Sequence, residues 1–136
     1  DQITTAASLF EDASRYDNKY TQEASELFRK GKMFYHALYL NAQIKDQKEK
    51  LKQRLALFLE FADYESAAAM GKAMSRVGLL EDESLRYALA YALYEDGQFE
   101  ASEKHLTLLT KSELFKKATH LRKSMSECRA DVSKCE

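Results

Sequence analysis

The chain has 136 residues, enough for one domain with a modest core. Hydrophobic residues make up 45% and charged residues 32%, a globular balance that argues against disorder. Formal net charge is -1 with both signs interspersed, so no long-range field favours nucleic acid or an anionic membrane, and no apolar run reaches the roughly 18 residues that span a bilayer.

Proline is absent and there are four glycines, while Ala, Leu, Glu, Lys, Arg, Gln and Met dominate. These are strong helix formers, so helices joined by short turns are expected. Ala6, Ala7, Phe10, Ala13 and Ser14 form a helical stripe ending near Tyr16, with Asp17 and Asn18 as a turn or cap. Ala24, Leu27 and Phe28 mark a second helix over 20–30, broken by Gly31. Phe34, Ala37, Leu38, Leu40, Asn41 and Ile44 give a third, and Leu51, Leu55, Phe58 and Leu59 a fourth. Tyr64, Ala67, Ala68, Ala73 and Met74 give a fifth, stopped by Gly78. Leu85, Leu89, Tyr91, Ala92 and Leu93 form a sixth, begun near Glu81 or Asp82 and followed by Gly97. A seventh carries Phe99, Ala101, His105, Leu108 and Leu109. An eighth starts at Ser112 and carries Phe115, Ala118, Leu121 and Met125 to about Cys128.

Two stretches repeat. Phe61-Ala-Asp-Tyr-Glu-Ser-Ala67 and Asp96-Gly-Gln-Phe-Glu-Ala-Ser102 share a small residue, an aromatic two places on, and further small residues, with Ala62 and Gly97 35 residues apart. A weaker copy, Gly31-Lys-Met-Phe-Tyr-His-Ala37, places Gly31 31 residues before Ala62. In helix-forming sequence, such a period marks stacked helical hairpins, each burying its apolar face against its neighbours. The frame predicts a lone helix over 1–16, hairpins over 17–45, 48–80 and 83–110, a capping helix over 112–128 and a tail over 129–136. Residues 1–16 read as the second helix of a hairpin whose first is missing, so a fragment of a longer repeat protein is expected. Ala24, Leu55 and Ala90 fall at one first-helix position; His36, Ala67 and Ser102 fall at one second-helix position, where small side chains let helices approach. Met33, Tyr64 and Phe99 are expected to fill the wedge at the start of each second helix.

This pattern resembles the tetratricopeptide repeat, closely over 48–80 and 83–110 and poorly over 17–45, where Glu23 replaces a large apolar residue and Ala37 falls one place late. The resemblance implies an all-α, right-handed solenoid of about eight helices. The runs Ala37–Gln47, Lys50–Leu55 and Gly78–Tyr91, with Leu114–Ala118, Leu121, Arg122, Met125, Cys128 and Cys135, are similar to the periplasmic tetratricopeptide proteins of TonB–ExbB–ExbD systems in gammaproteobacteria. What that likeness implies is a periplasmic accessory or scaffold beside an energy transducer.

Tyr87, Tyr91 and Tyr94 share one helical face by their spacing of four and three. In tetratricopeptide-like arrays these positions line the inner surface, with Ser84 and Glu95 beside them and Lys52, Glu60, Phe28 and Arg29 from the earlier units. A tyrosine row edged by charge suits capture of a partner segment, since each ring offers area, rigidity and a hydroxyl. The competing reading is packing between hairpins with hydroxyls at the rim. Cys128 and Cys135, the only cysteines, can meet if residues 129–134 fold back, forming a disulfide in an oxidising compartment; two free thiols are the alternative. His36, His105 and His120 have no metal-ligand or relay spacing, and neither a nucleophile–histidine pair nor a phosphate loop is present, so no enzyme activity, metal or cofactor is expected. The basic run Lys45–Arg54 offers a docking patch for an acidic partner or phosphates, with a solvated turn and helix face as the favoured reading; interleaved Asp46 and Glu49 and the lack of stacking aromatics count against nucleic acid. The expected partner is a protein, with no nucleic acid and no membrane insertion. Self-association through residues 1–16 is the structural alternative.

Overall fold

The structure, a computed structural model, describes residues 1–135. Every regular element among them is helical: α1 (Gln2–Ala13), α2 (Lys19–Lys30), α3 (Phe34–Asn41), α4 (Gln47–Glu60), α5 (Tyr64–Ala68), α6 (Gly71–Arg76), α7 (Glu83–Glu95), α8 (Phe99–Leu106) and α9 (Ser112–Ala130). Short 3-10 turns cover Leu79–Glu81 and Val132–Lys134. None of these helices is long and apolar enough to cross a membrane. The expected fifth helix is interrupted at Ala69 and Met70, giving α5 and α6. The start of α7 is capped at Asp82, as the sequence suggests, accepting from Ser84 N at 2.9 Å, and the start of α4 at Asp46, which accepts from Glu49 N at 3.1 Å. Asn18 caps nothing. Its amide donates to Gln43 O and its carbonyl accepts from Lys45 N, both at 3.0 Å, tying the α3–α4 loop to the start of α2.

The chain forms two compact units, Asp1–Asp63 and a second beginning at Tyr64. In the first, α2 packs against α1, α3 and α4. Its core holds Ala7, Ala24, Phe28, Ala37, Leu40 and Leu57, with Phe10, Leu27, Phe34, Leu38 and Phe61 packed on it. Asn41 is fully buried yet satisfied: its amide donates to Lys50 O and its carbonyl accepts from Arg54 Nε, each at 2.9 Å. Lys50 and Arg54 of the basic run thus have a structural task, Lys50 also donating through Nζ to Ala42 O at 2.9 Å. In the second unit α7 is central, packing against α5, α8 and α9. Ala90, Leu106, Leu109, Leu114, Ala118, Leu121 and Met125 form its core. On α9 the buried residues, Leu114, Ala118, Leu121, Met125 and Cys128, follow a spacing of four and three, so one stripe packs and the rest faces water.

The repeat signature has a backbone cause. Lys32, Ala62 and Gly97 all adopt the left-handed conformation, at φ 61°, 58° and 79°. After each, an amide reaches back five residues to close the preceding helix: Met33 N to Phe28 O, Asp63 N to Phe58 O and Gln98 N to Leu93 O, all at 2.8 Å. The first copy is therefore keyed on Lys32 and not Gly31, whose φ is -77°. This moves the frame there by one residue. The aromatic two places on is Phe34, not Met33, which is 42% exposed. The small residue five places on is Ala37, not His36, and like Ala67 and Ser102 it is fully buried. His36 instead pairs through Nε2 with Glu11 at 2.9 Å and lies over the Phe28 ring. In the α2–α3 and α7–α8 hairpins the close approach is sealed by one hydroxyl: Ser25 Oγ donates to Ala37 O at 2.9 Å, and Ser102 Oγ to Ala90 O at 2.7 Å. The same pair of positions uses serine on opposite helices.

Candidate partner-binding site

The tyrosine row exists as spaced. Tyr87, Tyr91 and Tyr94 lie half-buried along α7, packed on the core of the second unit, with Ser84 and Glu95 exposed near the ends of the helix. Tyr91 and Tyr94 have ring centroids 6.4 Å apart; Tyr64 of α5 meets Tyr91 edge-on at 6.0 Å, and Phe99 of α8 stacks on Tyr94 at 5.7 Å. Lys117 of α9 places its ammonium 5.6 Å from the centre of the Tyr87 ring. Burial raises the Tyr87 phenol above its ordinary range. Tyr91 is raised further, by burial first and then by hydrogen bonds with Tyr64 and Glu95. Tyr64, Tyr91, Tyr94 and Phe99 thus form one run of ring contacts, part packing and part surface, with Tyr87 elsewhere on α7 beside Lys117 of α9. Tyr64 belongs to it, and the sequence frame had given Tyr64 only a wedge role.

In the first unit the expected residues separate. Phe28 is 3% exposed and belongs to the core, so it presents no surface. The one-residue shift of the frame explains this: it puts Arg29 at the position that the sequence had given to Phe28. Arg29 Nε donates to Glu26 Oε2 at 2.9 Å, and its guanidinium also pairs with Glu60, joining α2 to α4. That pairing lowers Glu26 and raises Arg29 from their ordinary values, through the hydrogen bond first. Lys52 is exposed beside them, on a hollow of about 260 Å³ shared with Glu49, Gln53 and Ala56. Gln53 is 6% exposed; its amide donates to Gln22 O and Glu49, while its Oε1 has no partner.

Glu83, which the sequence did not single out, organises the loop between α8 and α9. Its carboxylate accepts from Thr110 N and Lys111 N at 2.9 Å and from the Thr110 hydroxyl, and these bonds hold it below the usual carboxylate range. Its position as the first residue of α7 reads as an ordinary acidic first turn and gave no hint of the longer reach. Cys128 and Cys135 form a disulfide with Cα atoms 4.5 Å apart. That bond is compatible with an oxidising compartment. Among the described residues no cluster of His, Cys, Asp and Glu could hold a metal ion. No protein-family model, curated protein or solved structure matches this chain.

Proposed function

We propose that this chain is a protein–protein interaction module: a right-handed tetratricopeptide-like solenoid serving as an accessory scaffold of a periplasmic TonB-type energy-transducing complex. The observation that carries the reading is the row of half-exposed tyrosines on α7, flanked by exposed Ser84 and Glu95. Amphipathic rings in register give a partner apolar area and hydroxyl donors at low entropic cost. The three left-handed turns, each followed by an aromatic at +2 and a small buried residue at +5, support the repeat reading. The periplasmic and TonB assignments rest on sequence likeness, with the disulfide in agreement.

Crosslinking pull-down from an envelope extract tests it. Tyr87→Ala with Tyr91→Ala is expected to abolish capture of an ExbB, ExbD or TonB component at unchanged helicity. Because those rings also pack, Ser84→Arg and Glu95→Lys, both at exposed positions, serve as variants that leave the core intact. Undiminished capture by all of them overturns the reading. A structural or oligomerising role is favoured by one observation, the 66% exposure of Leu9 and 92% exposure of Tyr16. A chain that dimerises in a Leu9-dependent way and captures none of these components supports that role instead.

A further inference from the structure

Residues of α8 and α9 line an open groove of about 630 Å³ that includes Phe99, Glu103, Lys104, Arg122 and Arg129. A second hollow of about 540 Å³ continues it past Gly97 and shares Phe99, Glu100, Lys104 and Arg129. Its charges are unequally satisfied. Glu103 is cancelled by Arg122, whose Nε lies 2.9 Å from both carboxylate oxygens. Neither Lys104 nor Arg129 takes part in any ion pair among the described residues. Glu100 stands at the rim, so the groove keeps one net positive charge. The Arg129 guanidinium lies over the Phe99 ring, 5.7 Å from its centre, and Phe99 in turn stacks on Tyr94. A guanidinium laid on a ring keeps its in-plane N–H edge free, and that edge matches a carboxylate.

We propose that this groove binds an acidic segment of a protein partner, with one carboxylate held between Arg129 and Lys104 and an adjacent apolar side chain seated on Phe99. Two cations beside a carboxylate suit a single negative charge. A phosphate dianion meets Glu100, and a membrane surface needs a larger basic field than one net charge supplies. The apolar floor next to the clamp fits the side chain beside an Asp or Glu. This binding uses none of Tyr87, Tyr91 and Tyr94 as a direct contact and stands whether or not that row captures a partner.

The probe is a soluble decapeptide of Gly and Ser with one central Phe-Glu pair, titrated into uniformly ¹⁵N-labelled protein by NMR. Shifts are expected at the Phe99 and Lys104 amides and at Arg129 Nε–H. Arg129→Ala and Lys104→Ala, both at exposed sites, should each weaken binding about ten-fold at unchanged helicity. Glu100→Gln should tighten it, and a Phe-Gln peptide should fail to bind. Equal affinity for the Phe-Gln peptide, unchanged affinity in Arg129→Ala, or tighter binding of inorganic phosphate at the same residues overturns the proposal. Shifts confined to Tyr87, Tyr91 and Tyr94 also overturn it, while leaving the tyrosine row as a binding face.

Discussion

Burial discourages charge at both Tyr91 and His105, and the two respond to opposite ends of the pH scale. Tyr91 stays a neutral phenol in the physiological range, able to donate towards Glu95, so its hydroxyl is fixed as part of the α7 surface. His105 on α8 is pushed below its ordinary value near 6.5, by burial first and then by the Arg86 guanidinium, whose Nη1 lies 3.3 Å from Nδ1. The folded state therefore binds fewer protons here than the unfolded chain does. The stability this provides is present above the unfolded value and is lost as pH falls through the folded one. Urea midpoints measured at pH 7.5 and pH 5 should show a loss in the wild type that is smaller in His105→Gln. The window lies above the range in which Glu26 and Glu83, both lowered, take up protons. An identical loss in both proteins would place the acid sensitivity elsewhere.

At the scale of elements, the left-handed residues Lys32, Ala62 and Gly97 set where α2, α4 and α7 end. Glycine adopts such a φ without steric cost, whereas alanine or lysine is strained by about 1 kcal/mol. Gly97 has open space where a Cβ would be built, so Gly97→Ala should cost at most the conformational strain of about 1 kcal/mol, offset in part by the reduced freedom of alanine in the unfolded chain. Ala62→Gly and Lys32→Gly should each gain stability, by up to about 0.5 kcal/mol once the extra freedom of glycine in the unfolded chain is subtracted. Urea unfolding at constant m-value measures all three, and a loss at Ala62→Gly would refute the turn assignment. Ala62 and Gly97 were legible in the sequence because a small residue stood at the expected place. Lys32 was hidden: Gly31 beside it drew the frame one residue early, and that slip put Phe28 on a face it does not share. The interruption between α5 and α6 was hidden too. Alanine-rich sequence carries no breaker there except Gly71, and Gly71 answers to packing, since a Cβ on it would stand 3.4 Å from Leu89 of α7.

Over the whole molecule, what periodicity can encode was legible, and what depends on distant neighbours was not. The helices, the α7 tyrosines and the pairing of two cysteines follow from spacing along the chain. The Tyr64–Tyr91 contact, the grip of Glu83 on Thr110 and Lys111 and the Arg129–Phe99 stack join residues whose separation only the fold sets. The disulfide shows how such a bond acts beyond its own site. Linking residues seven apart restricts the unfolded chain, and loop-closure entropy puts the stabilisation at about 2.5 kcal/mol. Cys135→Ala tests this without disturbing the packed stripe of α9, because Cys128 remains as a small buried apolar side chain. The variant, or wild type under reductant, should unfold at lower urea with faster amide exchange over Arg129 and Ala130. Protection over Leu114–Leu121 should persist, since those residues belong to the core. Asp131 supplies a local competitor, accepting from Ser133 N at 3.0 Å. If exchange at the end of α9 does not change on reduction, that turn holds the terminus by itself. The groove beside Arg129 would then keep its shape in a reducing compartment as well as in an oxidising one.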